Sequence, residues 1–216
     1  MKYYFFTVIH PKRAIHSLII NTGFVLVLSG LFFKIAVVPF HMWAPDVYEG
    51  APTPITAYLS VASKAAAFGV VLRVFHSGLV AVSTDWVLLF AILSAVTMTI
   101  GNLAAMNQTN IKRLLGYSAI AHAGYMLIGV AAVTLDGVGS EQGILGPSGL
   151  LFYLVAYAAT SMVAFFAVIA ITNRTGSDEI KDLAGMRERA PWLAAALALA
   201  LVSLIGIPPT AGFMGK

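Results

Sequence analysis

Two lysines stand where an ammonium is hardest to keep. Lys34 is the sole charge in an apolar run from Leu18 to Phe40, and Lys64 is the sole charge in a second run from Ile55 to Leu72. A charge near the centre of a bilayer costs at least about 2.5–3.5 kcal/mol on insertion scales, so an ionisable residue there defaults to a functional role. Burial disfavours the charged amine, and a nearby charge can restore it. A deep lysine can therefore load or release a proton when its surroundings change, which arginine cannot do. The chemistry these residues imply is movement of protons or other cations across a membrane.

Other candidates lie near breaks in the apolar pattern. Lys34 precedes Pro39 by five residues, and Lys216 follows Pro209 by seven. Proline removes a backbone donor and clashes with the preceding turn. Interrupted helices next to ionisable groups are a transporter signature. His41 sits in the first break, where it could relay a proton or cap freed carbonyls. His122 forms an i, i+4, i+7 polar stripe with Ser118 and Tyr125. It reads equally as a relay or as a histidine bonded across helices. Tyr153, Tyr157, Thr160 and Ser161 make a similar face, read here as packing and hydrogen-bonding glue rather than as transport groups.

The elements that must position these groups are membrane spans. Apolar residues make up 59% of the chain and charged residues 10%, where a soluble domain carries about a quarter charged. The predicted fold is all-α, a polytopic membrane bundle of about six spans. They run over 15–48, 53–76, 85–106, 110–134, 147–172 and from Pro191 to the end. The first and last are broken by proline, the first at Pro39 and again at Pro45, the last at Pro208 and Pro209. The whole of 1–216 reads as one membrane domain with an atypical extension over 1–21. Helical rise places Lys64 about 16 Å beyond Thr53, near mid-membrane, and Lys34 at similar depth. The two spans join by a short connection, so both lysines look like stations on one path.

Several function classes fall away. The net charge of +4 comes from scattered residues with no basic stripe, which argues against nucleic acid. The chain has no cysteine, which removes disulfides, thiolate clusters and thiol catalysis. Its first residues do not form a secretory signal, since His10, Pro11, Lys12 and Arg13 interrupt the apolar stretch. His41, Asp46 and Glu49 lack the helical spacing of a metal site, and Gly137, Gly139 and Gly143 lack that of a phosphate loop. No metal and no cofactor is expected. The loop from Asn173 to Ala190 holds eight charged residues and reads as a solvated connector. Basic residues number six on its side of the membrane and four on the other, which makes its side cytoplasmic. Trp43, Tyr48, Trp86 and Trp192 read as interfacial anchors. All nine acids lie in loops or at span ends, so no carboxylate sits mid-membrane beside Lys34 or Lys64.

Three stretches carry a family resemblance: "FKIAVVPFHMWAPDVYEGAPTPITAYLSVASKAAAFGVVLR", "NQTNIKRLLGYSAIAHAGYMLIG" and "GIPPTAGFMGK". They resemble the antiporter-like membrane subunits of respiratory complex I (NADH–quinone oxidoreductase), and "PDVYEGAPTP" and "IKRLLGYS" resemble its N-type subunit (subunit 2). The resemblance covers about Gly23 to Lys216. It implies about fourteen spans in the family, with two inverted five-helix repeats, a broken helix in each, and no redox cofactor. It implies proton movement coupled to quinone chemistry elsewhere in the complex, so that this chain contributes to an enzyme without itself being catalytic. By motif, Lys34, His41, Lys64, His122 and Lys216 match the family's proton-transfer residues. The family's N-terminal half supplies a membrane glutamate that partners the first lysine. Nothing here corresponds to it, and the chain is expected to be part of a longer one.

Three readings are compatible with these residues. The first is a proton-translocating subunit of NADH–quinone oxidoreductase in the bacterial plasma membrane, partnered by the other membrane subunits of complex I, with protons as cargo and quinone involved only indirectly. The second is a subunit of an Mrp-type sodium (potassium)/proton antiporter, or of an ion-pumping hydrogenase, which shares the broken-helix lysine logic. The third is a non-pumping structural subunit whose lysines snorkel.

Overall fold

The computed structural model describes residues 11–74, 83–135 and 145–215, with side-chain environments for 22–74, 87–132 and 145–215. Helices dominate. They are α1 (Pro11–Ile35), α2 (Trp43–Gly50), α3 (Thr53–Arg73), α4 (Ser83–Ala105), α5 (Ile111–Leu135), α6 (Leu145–Thr175), α7 (Met186–Arg189), α8 (Pro191–Ile205) and α9 (Ala211–Gly215). Among the described residues, four stretches are long and apolar enough to cross a membrane: Thr53–Arg73, Val87–Ala105, Ile111–Ala132 and Leu145–Thr175. Two shorter apolar helices, Thr22–Ile35 and Pro191–Ile205, are the parts of α1 and α8 that end at the breaks.

Both breaks form, and they share a design. Helix α1 ends at Ile35, Ala36 turns into the left-handed region (φ 63°), and the Val38–Pro39 bond is cis before α2 restarts at Trp43. Helix α8 ends at Ile205, Gly206 turns left-handed (φ 87°), and the Pro208–Pro209 bond is cis before α9 restarts at Ala211. In both, the left-handed residue stands three positions before the proline of the cis bond. Glycine adopts that backbone freely, whereas alanine does so at a steric cost. Pro45, expected to interrupt the chain again, does not. It lies in the first turn of α2, where its missing N–H has no intrahelical acceptor to lose. Pro52 and Pro54 open α3 as expected, Pro52 standing at its N-cap.

Span α5 is the hub. Buried residues fill 67% of its apolar window, against 22% for α4. It packs against α2, α4 and α6, and α6 in turn packs against α3, α8 and α9. Glycine makes the α4–α5 approach possible. A Cβ at Gly101 would stand 2.6 Å from the backbone nitrogen of Ala121, and one at Gly124 would meet Met98 Cγ at 2.6 Å. Without a hydrophobic driving force between helices in lipid, such close backbone packing is what holds spans together. Of the expected anchors, Tyr48 is internal and Trp43 is half-buried. Tyr48 is 2% exposed and meets the Phe165 ring edge-on at 6.3 Å. Trp43 folds back across the first break, stacking on Phe33 at 5.4 Å and donating Nε1–H to the Phe33 carbonyl at 2.9 Å. The Trp192 side chain, by contrast, is 87% exposed. The side chain of Trp86 lies outside the described environments.

The glycine contacts give a paired prediction. Gly101→Ala forces α4 from α5 and lowers stability by about 1–3 kcal/mol, whereas Gly69→Ala, with nothing within 4 Å, is neutral or stabilising by up to about 1 kcal/mol. Thermal unfolding of the two variants in the same detergent checks this.

Candidate functional site

Lys64 is positioned by an irregular turn. Residues Leu59–Ser63 form a π-turn inside α3, and Lys64 begins the regular helix on its C-terminal side. One added residue in a turn rotates the downstream helix by about 100° relative to an unbroken one. The side chain is 4% exposed and enters the bundle rather than lipid. Its Nζ donates to the backbone carbonyl of Ala119 on α5 and lies 5.7 Å from the centroid of the Tyr157 ring on α6. A helical carbonyl has a second lone pair to offer beyond its helix bond, so α5 needs no distortion to accept. The stem cannot be snorkelling, because its head points into the protein.

His122 lies three residues beyond Ala119, nearly one turn on, and is 4% exposed. Counted from the start of α5, it stands about 16 Å into the span, the depth already derived for Lys64. Its Nδ1 shares a 2.5 Å hydrogen bond with the Tyr153 hydroxyl. The Tyr157 ring is 5.0 Å from the imidazole and the Tyr125 ring 5.8 Å. The Tyr157 hydroxyl is flanked by Ser60 and Ser161. Lys64, Tyr157, His122 and Tyr153 thus form one contiguous cluster linking α3, α5 and α6, with the buried Ser60 and Ser161 beside it. Tyr153 and Tyr157 belong to this cluster, and the Tyr153 bond to His122 is the hydrogen-bonding glue that their spacing suggested. Their i, i+4 placement on one face of α6 was the available signal.

The cluster continues to the second break. Tyr153 packs directly on Gly215, where a Cβ would stand 2.6 Å from its ring. Gly215 immediately precedes Lys216, which lies outside the described residues. Helix α9 is pressed onto the end of α8: a Cβ at Gly212 would fall 1.8 Å from the Ser203 carbonyl oxygen. Between them, a cavity of about 10 Å³ touches His122, Tyr153, Tyr157, Thr160, Ser203 and Gly212. That is the lower limit of room for one water, and the lining is polar enough to hold it.

The first break is built differently. Lys34 is exposed in the last turn of α1, and it forms no ion pair among the described residues. Helix α1 packs against the C-terminal part of α3, yet Lys34 is exposed where Lys64 is buried. His41 is 8% exposed, and its Nδ1 is buried without a hydrogen-bond partner among the described residues. Leaving such a group unpaired costs about 1–3 kcal/mol, so this atom is available to a partner. Thr97 of α4 satisfies part of the break, its Oγ1 accepting from Val38 N–H at 3.2 Å.

An ion-pair cap, unforeseen from the sequence, ties the polar end of the bundle together. Arg113 at the start of α5 pairs with Asp46 at 2.9 Å and Glu49 at 2.6 Å, fixing α2 to α5. Lys112 pairs with Asp178 at 2.7 Å. Ile180 N–H donates to the Thr109 carbonyl and Ile111 N–H to that of Asp178. The 173–190 segment is therefore docked on the α4–α5 connection rather than loosely solvated. Loop charges separated by tens of residues give no pairing signal in sequence. The same contacts place the α2–α3, α4–α5 and α6–α8 connections at one end, matching the side richer in basic residues.

Comparison with known proteins fits this arrangement. Residues 3–216 match the family described as NADH:quinone oxidoreductase/Mrp antiporter, TM, and the chain belongs to it. The chain is 50% identical over 194 residues to NADH-quinone oxidoreductase subunit N of Desulforamulus reducens, covering 90% of this chain and 39% of that protein. It is similar to a chain of respiratory complex I from Thermus thermophilus, solved with bound aureothin, at 38% identity and a TM-score of 0.68, over 88% of this chain and 39% of that one. It is also similar to a chain of the Mrp complex from Dietzia sp., at 29% identity and a TM-score of 0.80, over 88% and 34%. The chain spans about two fifths of the length of the curated relatives it matches. It is a multi-pass integral membrane protein of a bacterial membrane.

The short bond at the centre of the cluster can be tested by itself. Tyr153→Phe keeps the ring against Gly215 but removes the hydroxyl, leaving His122 Nδ1 without that partner. It should cost about 1–3 kcal/mol, read as a lowered midpoint of thermal unfolding, while Tyr58→Phe, at an exposed ring, should leave the midpoint in place.

Proposed function

We propose that this chain is the proton-conducting part of a membrane subunit of NADH–quinone oxidoreductase, working beside the other membrane subunits of that complex. The observation that carries the reading is the Lys64–Tyr157–His122–Tyr153 cluster at mid-membrane depth. It lines up exchangeable protons across three helices, next to a cavity at the size of one water. Lys64 serves as the loading site, and Tyr157 and Tyr153 pass the proton by way of His122. Lys216, next to Gly215, takes it at the second break.

Lys34 and His41 form the entrance. The exposed ammonium of Lys34 is open to a partner outside the described residues, and a carboxylate there would hold it charged. Release of that carboxylate favours the neutral amine and passes the charge onward. His41, buried in the break with a free Nδ1, accepts or donates between the two half-helices. The cluster needs no resident cofactor, and quinone acts on it only through the rest of the complex. The single membrane domain spans 1–216.

The Mrp-type alternative keeps a specific observation, the fold likeness to the Dietzia complex. The two readings separate in inverted membrane vesicles from cells carrying the full-length protein. Lys64→Ala should lower proton uptake per NADH oxidised severalfold, with assembly of the complex intact, and Lys34→Ala should act in the same direction. Lys64→Arg should not rescue, because guanidinium holds its proton. Undiminished uptake in Lys64→Ala would remove the lysine from the path. Uptake that follows a sodium gradient without NADH would favour the antiporter.

A further inference from the structure

We propose that the cytoplasmic end of the α6–α8 pair is a binding site for one anionic phospholipid. Its phosphodiester headgroup sits in a basic cleft, and one acyl chain lies in the groove between the two helices. The proposal does not depend on the proton path.

The cleft is about 660 Å³ and is lined by Arg174, Lys181 and Arg189, all exposed. The single carboxylate in its lining, Asp182, is already bonded by the Ser177 hydroxyl at 2.5 Å. Three cations facing one engaged acid leave the cleft electropositive, and guanidinium groups suit phosphate oxygens by bidentate geometry. The exposed indole of Trp192 stands one residue into α8, beside the cleft, as expected at headgroup level.

A second recess lies on the same two helices, deeper in the membrane. It is about 240 Å³ and is lined by Ala159, Thr160 and Val163 of α6 and Leu199, Ala200 and Ser203 of α8. Helical geometry joins it to the cleft. Arg174 is eleven residues from Val163, three turns and about 20° round, and about 16 Å higher. Trp192 is seven residues from Leu199, two turns and about 20° short. Arg174 of the cleft and the Trp192 indole therefore lie on the same helix faces as the recess, about 16 Å and about 10 Å nearer the surface. The groove ends where Thr160 Oγ1 and Ser203 Oγ meet at 3.3 Å. Its length, apolar lining and depth match one acyl chain of one leaflet. A free phosphate would use the cleft and leave the groove empty, and an acidic protein segment would have no use for an apolar slot at that depth. Cationic side chains near the surface each favour anionic lipid about fivefold.

The test uses Trp192 as reporter in the full-length protein, its signal read as the fluorescence lost in a Trp192→Phe variant, in nanodiscs of phosphatidylcholine holding one fifth phosphatidylglycerol. Either lipid carries dibrominated acyl chains. Brominated phosphatidylglycerol should quench Trp192 at least about fivefold more per molecule than brominated phosphatidylcholine. The triple variant R174Q/K181Q/R189Q should bring that ratio to about one, with quenching by phosphatidylcholine unchanged as the sign that the fold is intact. Arg187→Gln, outside the cleft lining, should leave the preference in place. Inorganic phosphate should not compete. Equal quenching by both lipids would overturn the proposal, as would an equal loss in Arg187→Gln or release of the lipid by phosphate alone. Protection of Lys181 from an amine reagent in the delipidated complex would assign the cleft to a protein neighbour and would overturn it as well.

Discussion

A buried amine must find an acceptor, and in this chain it finds the backbone of a neighbouring helix. The bond from Lys64 to the Ala119 carbonyl makes sense of much that surrounds it. An amine in hydrocarbon without such a partner is costly, so α5 has to be central, with its carbonyls within reach. Glycines at 101 and 124 let α4 close against α5, and the Arg113 pairs hold α2 at its polar end. The π-turn before Lys64 then aims the side chain inward. An extra residue in a helix turn weakens local hydrogen bonding, and such turns are frequent at functional sites.

The two breaks serve the same constraint from opposite sides. Irregular backbone at membrane depth survives only where protein or a water-filled cavity satisfies it. The first break is satisfied by Thr97 and by the Trp43 indole, which reaches back to Phe33. The second is pressed so tightly on α8 that no side chain fits at Gly212. Each break leaves a polar group poised beside it: His41 at the first, and the Tyr153–His122 pair at the second. Ala36 holds a left-handed backbone that Gly206 takes without strain, so the first break carries the greater conformational cost.

Within the family, the arrangement separates two kinds of ionisable residue. Lys64 and His122 are enclosed by α3, α5 and α6, whereas Lys34 is exposed at the end of α1.

The sequence by itself determined the class of fold. Apolar runs long enough to cross a bilayer force helices, because backbone groups in lipid must be bonded within their own segment. Prolines 39, 208 and 209 marked both breaks, since a proline in a helix interior removes a bonded N–H. Lys64 and His122 stood out because charge and imidazole are rare in such runs. What only the tertiary structure decided was who meets whom. Tyr153 and Tyr157 read as packing and hydrogen-bonding glue, and only the placement of α6 showed that the partner is His122; Tyr48 read as an anchor and proved to be core. Pro45 looked like a breaker, but it falls in a first turn. Lys34 and Lys64 have different surroundings, exposed and buried, although counting residues along a helix put them at similar depth, because a partner depends on how each helix is rotated against the next. Rotation is set by glycine contacts, a π-turn and paired charges far apart in the chain, and none of these leaves a periodic trace in the sequence.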